Sequence, residues 1–222
     1  MKKSDSLKII MFLTALLHLA IVLIVMQFLP DKISMHYDFN MNIDRWGSKY
    51  EMLILPAVNF IETLFMYGTS VFIAKHENGE SSRKVILITG ILINLFFTAM
   101  TVYTLIMDFS AIDENSSTGI GFGKFTSILA GIVIAAIGNF IPKCKINSVV
   151  GLRTKWSMAN EDIWFKCQRF GGVFIFFCGT AMAVSSALLE TDIQIITAVV
   201  CIANFMTATL IFSTKIIHDK EK

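Results

Sequence analysis

The chain has 222 residues, of which 55% are hydrophobic and only 16% charged, and its mean hydropathy is +0.65. Soluble domains carry about a quarter charged residues, so this composition excludes an ordinary soluble domain and predicts a membrane protein. A formal net charge of +2 gives no ground for a nucleic-acid-binding patch, and direct contact with nucleic acid is not expected.

A helix that crosses a hydrocarbon core of about 30 Å needs about 20 apolar residues at about 1.5 Å each. Six runs meet that length, which predicts an all-α, polytopic integral-membrane helical bundle. The first, Leu7 to Leu29, is too long for the apolar core of a signal peptide. It ends in MQFLPDK with no small-x-small cleavage site and is expected to remain as a helix. His18 lies at its centre.

Next comes the loop LPDKISMHYDFNMNIDRWGSKYEMLILP, with a Pro near each end that stops or bends a helix. It is expected to be ordered against the membrane surface, with Trp46 and Tyr50 at headgroup depth and Gly47 in a turn. His36, Asp38 and Asp44 are ordinary metal-ligand types. Their spacing fits no metal motif, and hydrogen bonding within the loop is the expected role.

The second span is expected from Met52 to Ala74, with Glu62 near its centre, and the third from Val85 to Met107, with Asn94 at similar depth. A midplane carboxyl costs several kcal/mol unless paired. His18 is therefore the expected partner of Glu62, either as interhelical glue or as part of a proton path. The fourth span runs from Phe122 to Ile141.

After it stands the most polar long stretch of the chain, NSVVGLRTKWSMANEDIWFKCQRFGG, Asn147 to Gly172. Gly151 permits a left-handed turn, and Arg153 offers five fixed donors to carboxylates, phosphates or carbonyls. Ser157 is placed as an N-cap, and Glu161 and Asp162 in the first turns favour the helix dipole. The expectation is a short interfacial helix with Trp156, Ala159, Ile163, Cys167 and Phe170 on one face. Asp162, Lys166 and Arg169 fall on another, with Asp162 and Lys166 an i,i+4 pair. Arg153 is expected to anchor the loop to lipid phosphates, or to Glu161 or Asp162. The fifth span, Phe170 to Leu189, and the sixth, Ile193 to Ser213 with Asn204 near its centre, form a hairpin across Glu190 to Asp192.

Lys and Arg set the orientation. With the amino terminus inside, 15 of the 19 basic residues fall on the cytoplasmic side, leaving Lys32, Arg45, Lys49 and Lys124 outside. Both termini are then cytoplasmic. Cys144, Cys167, Cys178 and Cys201 form no CxxC pair and occupy no outside loop, so neither a disulfide nor a zinc site is expected. There is no GxSxG, HExxH or phosphate-binding glycine loop, and the chain reads as a non-enzyme without cofactor or metal. Transport through a His18/Glu62 cluster is the alternative function at this level, although no inverted repeat or Gly/Pro-broken span is visible.

Asn147, Gly151, Leu152, Arg153, Thr154, Trp156, Ser157, Asn160, Glu161, Trp164, Lys166, Arg169 and Gly171 resemble the signature of the SdpI family. That signature reads N-x-x-[IV]-G-[IL]-R-T-x-W-[ST]-[LM], followed by a Trp-bearing helix and a Gly. Pro30, His36, Asp44, Arg45, Trp46, Gly47, Ser48, Lys49 and Pro56 are similar to the small membrane domain of unknown function often found ahead of it. Asp38, Met41 and Lys155 depart from residues usual in those patterns, which are Asn, Gly and Pro. The resemblance implies a two-helix membrane domain with an ordered outer loop at residues 1–84 and an SdpI-like membrane domain at 85–222. It also implies a multi-pass protein of the bacterial inner membrane that protects against, or senses, a secreted antimicrobial peptide toxin. A cytoplasmic transcriptional repressor is the implied partner inside, the toxin outside, and membrane lipid surrounds the spans. Asn147, Gly151, Arg153, Thr154, Trp156, Glu161 and Trp164 are then expected to fix the inner loop or dock the partner. His36, Asp44, Arg45 and Trp46 shape the outer surface.

Overall fold

The structure, a computed structural model, describes residues 3–37, 43–76, 79–112 and 121–189. The predicted sixth span, with Asn204 and Cys201, lies outside the described residues, as do Asp38 and the Glu190 to Asp192 link. Among the described residues, five helices are long and apolar enough to cross a membrane. They are α1 (Lys3–Val25), α2 (Ile54–His76), α3 (Glu80–Ile112), α4 (Phe122–Phe140) and α5 (Glu161–Leu188). Each exposes large apolar side chains that water would not tolerate in such density. On α1, Leu13, Leu17 and Ile24 are 55–59% exposed, and on α2, Ile61 and Phe65 are 65–66% exposed. These are surfaces for lipid.

The fold is the expected helical bundle, and the loop between α1 and α2 adds one small sheet to it. Ile33 and Met35 alternate with Ser34 and His36, a period of two that belongs to a strand. β1 (Lys32–Tyr37) pairs antiparallel with β2 (Ile43–Ser48), with a bulge between Ser34 and His36. Ile33 turns inward and joins Val22, Leu29, Met52 and Leu105 in one apolar cluster, so the hairpin is packed onto the end of the bundle. Ser48 ends β2 and opens a 3-10 turn, Lys49–Leu53, through a capping box in which Glu51 accepts from the Ser48 N–H at 3.1 Å. Pro56 follows inside the first turn of α2, where its missing N–H costs little.

Helices α1, α2 and α3 pack on one another, α3 touches α4, and α4 lies against α5. The last contact depends on small residues. A Cβ built on Gly172 would stand 2.6 Å from the Gly138 carbonyl oxygen, and one on Gly179 would stand 2.6 Å from that of Gly131. Backbones can approach this closely only where neither chain has a side chain, which is how helices gain dispersion contact inside lipid.

The fifth helix also differs from expectation. The amphipathic segment is not a separate interfacial helix. α5 runs unbroken for 28 residues from Glu161, and the polar residues are the first turns of the span. Asn160 is the N-cap, accepting from the Ile163 N–H at 2.9 Å, because Ser157 is occupied within the preceding loop.

Candidate functional site

Three groups of side chains stand out, two at opposite ends of the bundle and one between them. At the first end, the loop between α4 and α5 folds over the starts of α3 and α5. Asn147 is its hub. The Asn147 Oδ1 accepts from the N–H groups of Val149 at 2.9 Å and Val150 at 2.7 Å, while Nδ2 donates to the carbonyls of Lys145 at 2.7 Å and Val150 at 3.0 Å. Ser82 of α3 donates to the Lys145 carbonyl at 3.2 Å and ties the hub to the bundle. Gly151 has φ +111°, and a Cβ there would meet Gln168 Oε1 at 2.5 Å, so both conformation and space call for glycine.

Two buried side chains of α5 hold the loop down. Trp164, 2% exposed, donates its indole N–H to the Cys144 carbonyl at 2.8 Å. Gln168, fully buried, accepts from the Leu152 N–H at 2.8 Å and donates to the Leu152 carbonyl at 3.0 Å. Thr154 and Ser157 close the turn reciprocally: Ser157 Oγ accepts from the Thr154 N–H, Thr154 Oγ1 accepts from the Ser157 N–H, and Ser157 Oγ donates to the Leu152 carbonyl at 2.7 Å. Burial, with no partner charge to offset it, pushes the Cys144 thiol up to about 12.

With these backbone groups bonded by Asn147, Gln168, Thr154 and Ser157, the loop's charged side chains are left at its surface. Arg153, Lys155, Glu161 and Asp162 are exposed, and the Lys155 ammonium sits 5.1 Å from the centre of the half-buried Trp156 ring. Among the described residues Arg153 forms no ion pair. Asp162 pairs with Lys166 at 3.3 Å, the expected i,i+4 partner, so an anchor from Arg153 to Glu161 or Asp162 is not formed. Ile163 and Cys167 share the buried face of α5 with Phe170 half-buried at its edge, whereas Trp156 and Ala159 precede the helix.

The hairpin forms the opposite end. His36 and Asp44 face one another across the strands at 2.6 Å, both exposed, and Arg45 pairs with Glu51 at 2.6 Å. Ser34 donates to the Asp108 carboxylate near the end of α3, so β1 is tied to the bundle by a buried polar contact as well as by Ile33. Trp46, Tyr50 and Phe28 stand out from this end, 55%, 64% and 72% exposed.

Between the ends runs a buried polar seam. Asn94, Thr101 and Asp108 recur every seven residues on α3 and so lie along one stripe. Asn94 donates to the Met11 carbonyl at 2.8 Å and to Thr14 at 3.0 Å, and accepts from Thr63 at 3.0 Å. His18 does not pair with Glu62. Its Nδ1 accepts from Asn59 Nδ2 at 3.1 Å, which leaves the proton on Nε2 to be donated to Thr101 Oγ1 at 2.8 Å. Both ring nitrogens are thereby taken, and the His18/Glu62 cluster on which transport would rest is not assembled.

Asn59, Thr63, Thr101, Asp108 and Gln168 are the residues that reading along the chain did not single out. Each is an uncharged or short polar side chain whose role depends on which way its helix is turned.

Residues 143–214 match the family model described as the SdpI/YfhL protein family, and residues 13–60 match a domain of unknown function, DUF1648. The first match takes in the loop and α5, and the second runs from α1 through the hairpin into α2. Over 188 residues, 85% of each chain, the protein is 24% identical to "Immunity protein SdpI" of Bacillus subtilis (strain 168). It is 32% identical to "Uncharacterized protein YfhL" of the same organism over 76 residues, 34% of this chain and 66% of that one. No solved structure matches the chain. The looped and capped start of α5 thus lies within the segment that matches the SdpI/YfhL family, and the hairpin behind α1 within the DUF1648 segment ahead of it.

Proposed function

We propose that this chain is an immunity protein of the bacterial inner membrane, which protects its cell from a secreted peptide toxin or senses that toxin. The observation that carries the reading is the collinear 24% identity to an immunity protein across 85% of both chains, spanning hairpin, bundle and loop alike. The basic residues supply the orientation: both termini and the loop between α4 and α5 face the cytoplasm, and the hairpin faces outward.

In that orientation the exposed Trp46 and Tyr50, set on a hairpin pinned by Ile33 and by the Ser34–Asp108 bond, meet a membrane-active peptide at headgroup depth. On the inner side Arg153, Lys155 and the half-buried Trp156 project from a loop held by Gln168 and Ser157. That surface suits a soluble protein such as a transcriptional repressor, and no part of the arrangement calls for enzymatic chemistry. Expression of the chain in a toxin-sensitive bacterium, followed by exposure to culture fluid of the strain that encodes it, tests the reading. Protected growth is the expected result, and killing at the same dilution as in cells without the gene would refute it.

A further inference from the structure

Glu62 stands at the middle of the 28-residue span Lys49–His76, about 20 Å along the helix from either end. Both of its carboxyl oxygens are sealed from the surface, and among the described residues neither has a hydrogen-bond partner. One turn earlier Asn59, fully buried, spends its Nδ2 on His18 and leaves Oδ1 without a donor. Three acceptor oxygens therefore sit within one turn of α2 with no donor among the described residues. A charged carboxylate in that position, without a counter-charge, costs several kcal/mol.

Among the described residues, the neighbouring helices bring no counter-charge to this depth. On α1, Lys3, Asp5 and Lys8 lie in the first turns, and His18 at mid-span has its nitrogens bonded to Asn59 and Thr101. On α3, Glu80, Arg83 and Lys84 lie in the first turns, Tyr103 stacks on Phe125 of α4, and Asp108 at the hairpin end is bonded to Ser34. Thr63 donates to Asn94 and is not available to Glu62. Ile61 and Phe65 beside it face outward.

We propose that Glu62 and Asn59 form a proton-binding site inside the α1–α3 unit, with the exchangeable proton held on the Glu62 carboxyl and Asn59 Oδ1 as its second acceptor. The ligand is the proton and not an alkali cation, because three oxygens on a single helical turn fall short of the six or so that a hard cation takes. This site is independent of the immunity reading and stands or fails separately from it.

A lipophilic carbodiimide supplies the test, since it reacts with a protonated carboxyl in an apolar setting. The acid proton passes to one carbodiimide nitrogen, the carboxylate oxygen adds to the central carbon, and rearrangement leaves a stable N-acylurea with no leaving group. With the full-length protein in detergent micelles at pH 7, dicyclohexylcarbodiimide is expected to place one adduct on Glu62. The rate should be at least about tenfold that at any exposed carboxyl, which is almost wholly ionised at this pH. Glu62→Gln removes the adduct while leaving a monodisperse protein. Absence of the Glu62 adduct in the folded protein, when the same peptide is labelled after unfolding at low pH, would overturn the proposal. Protection by sodium at fixed pH would also overturn it, in favour of a cation site.

Discussion

Replacing Gln168 with Met keeps the length of a buried side chain and removes both of its bonds to Leu152. The Leu152 N–H, held at 2.8 Å by Gln168 alone, is stranded. The Leu152 carbonyl keeps the Ser157 hydroxyl at 2.7 Å and loses only one of two partners. A stranded donor costs about 1–3 kcal/mol and a lost second bond about 0.5–1.5 kcal/mol, so the loop should open more easily by about 2–4 kcal/mol. At about 1.4 kcal/mol per factor of ten, the open population rises about 30-fold to several hundred-fold. Trypsin reads that population directly, because cleavage after Arg153 or Lys155 requires extended backbone that the closed loop denies it. In micelles, with protease dilute enough that reclosing outpaces cutting, the cleavage rate of Gln168→Met should rise by that factor while helix content is unchanged. A rate within about threefold of the parent would refute the idea that Gln168 latches the loop.

Gly179→Leu should force α4 and α5 apart, because its Cβ would fall 2.6 Å from the Gly131 carbonyl oxygen; a loss of at least about 1–3 kcal/mol is expected in mixed-micelle unfolding. Cys144 should resist maleimide in the folded protein and react once unfolded. Its folded value of about 12 lies above the ordinary 9.0, so its contribution to stability is complete below pH 9 and is lost as pH rises from 9 towards 12, which an unfolding series over that window would record. Asp44→Asn alters the contact with His36, whose partners are 65% and 47% exposed, and unfolding free energy should change by no more than about 1 kcal/mol.

The spans were legible in the sequence because length and apolarity are properties of a run. α3 and α5 extend beyond their expected bounds because Glu80, Glu161 and Asp162 are tolerated in a helix whose first turns stand clear of the hydrocarbon. Rotation about each helix is not legible in the same way. Glu62, Asn59 and Thr63 share a depth, yet the turn of α2 aims Asn59 at His18 and Thr63 at Asn94 and leaves Glu62 aside. The hairpin carries a period-two signal too short to stand out beside the apolar runs. The α4–α5 contact was written in Gly131, Ala135 and Gly138 against Gly172 and Gly179, but only their pairing across two helices gives that spacing meaning. In the inner loop, the resemblance marked Asn147, Arg153 and Trp164 alike. The geometry divides them: Asn147 and Trp164 build the loop, while Arg153 is exposed on its surface.

The toxin dose that halts growth of a sensitive bacterium carrying the parent chain, Arg153→Ala or Trp46→Ala, at equal membrane abundance, tests whether both faces of the protein serve protection. A raised dose is expected for the parent and a loss of that gain in Trp46→Ala, with loss in Arg153→Ala marking the loop between α4 and α5 as a working part of immunity. A parent no better than empty cells, despite full membrane abundance, would contradict it.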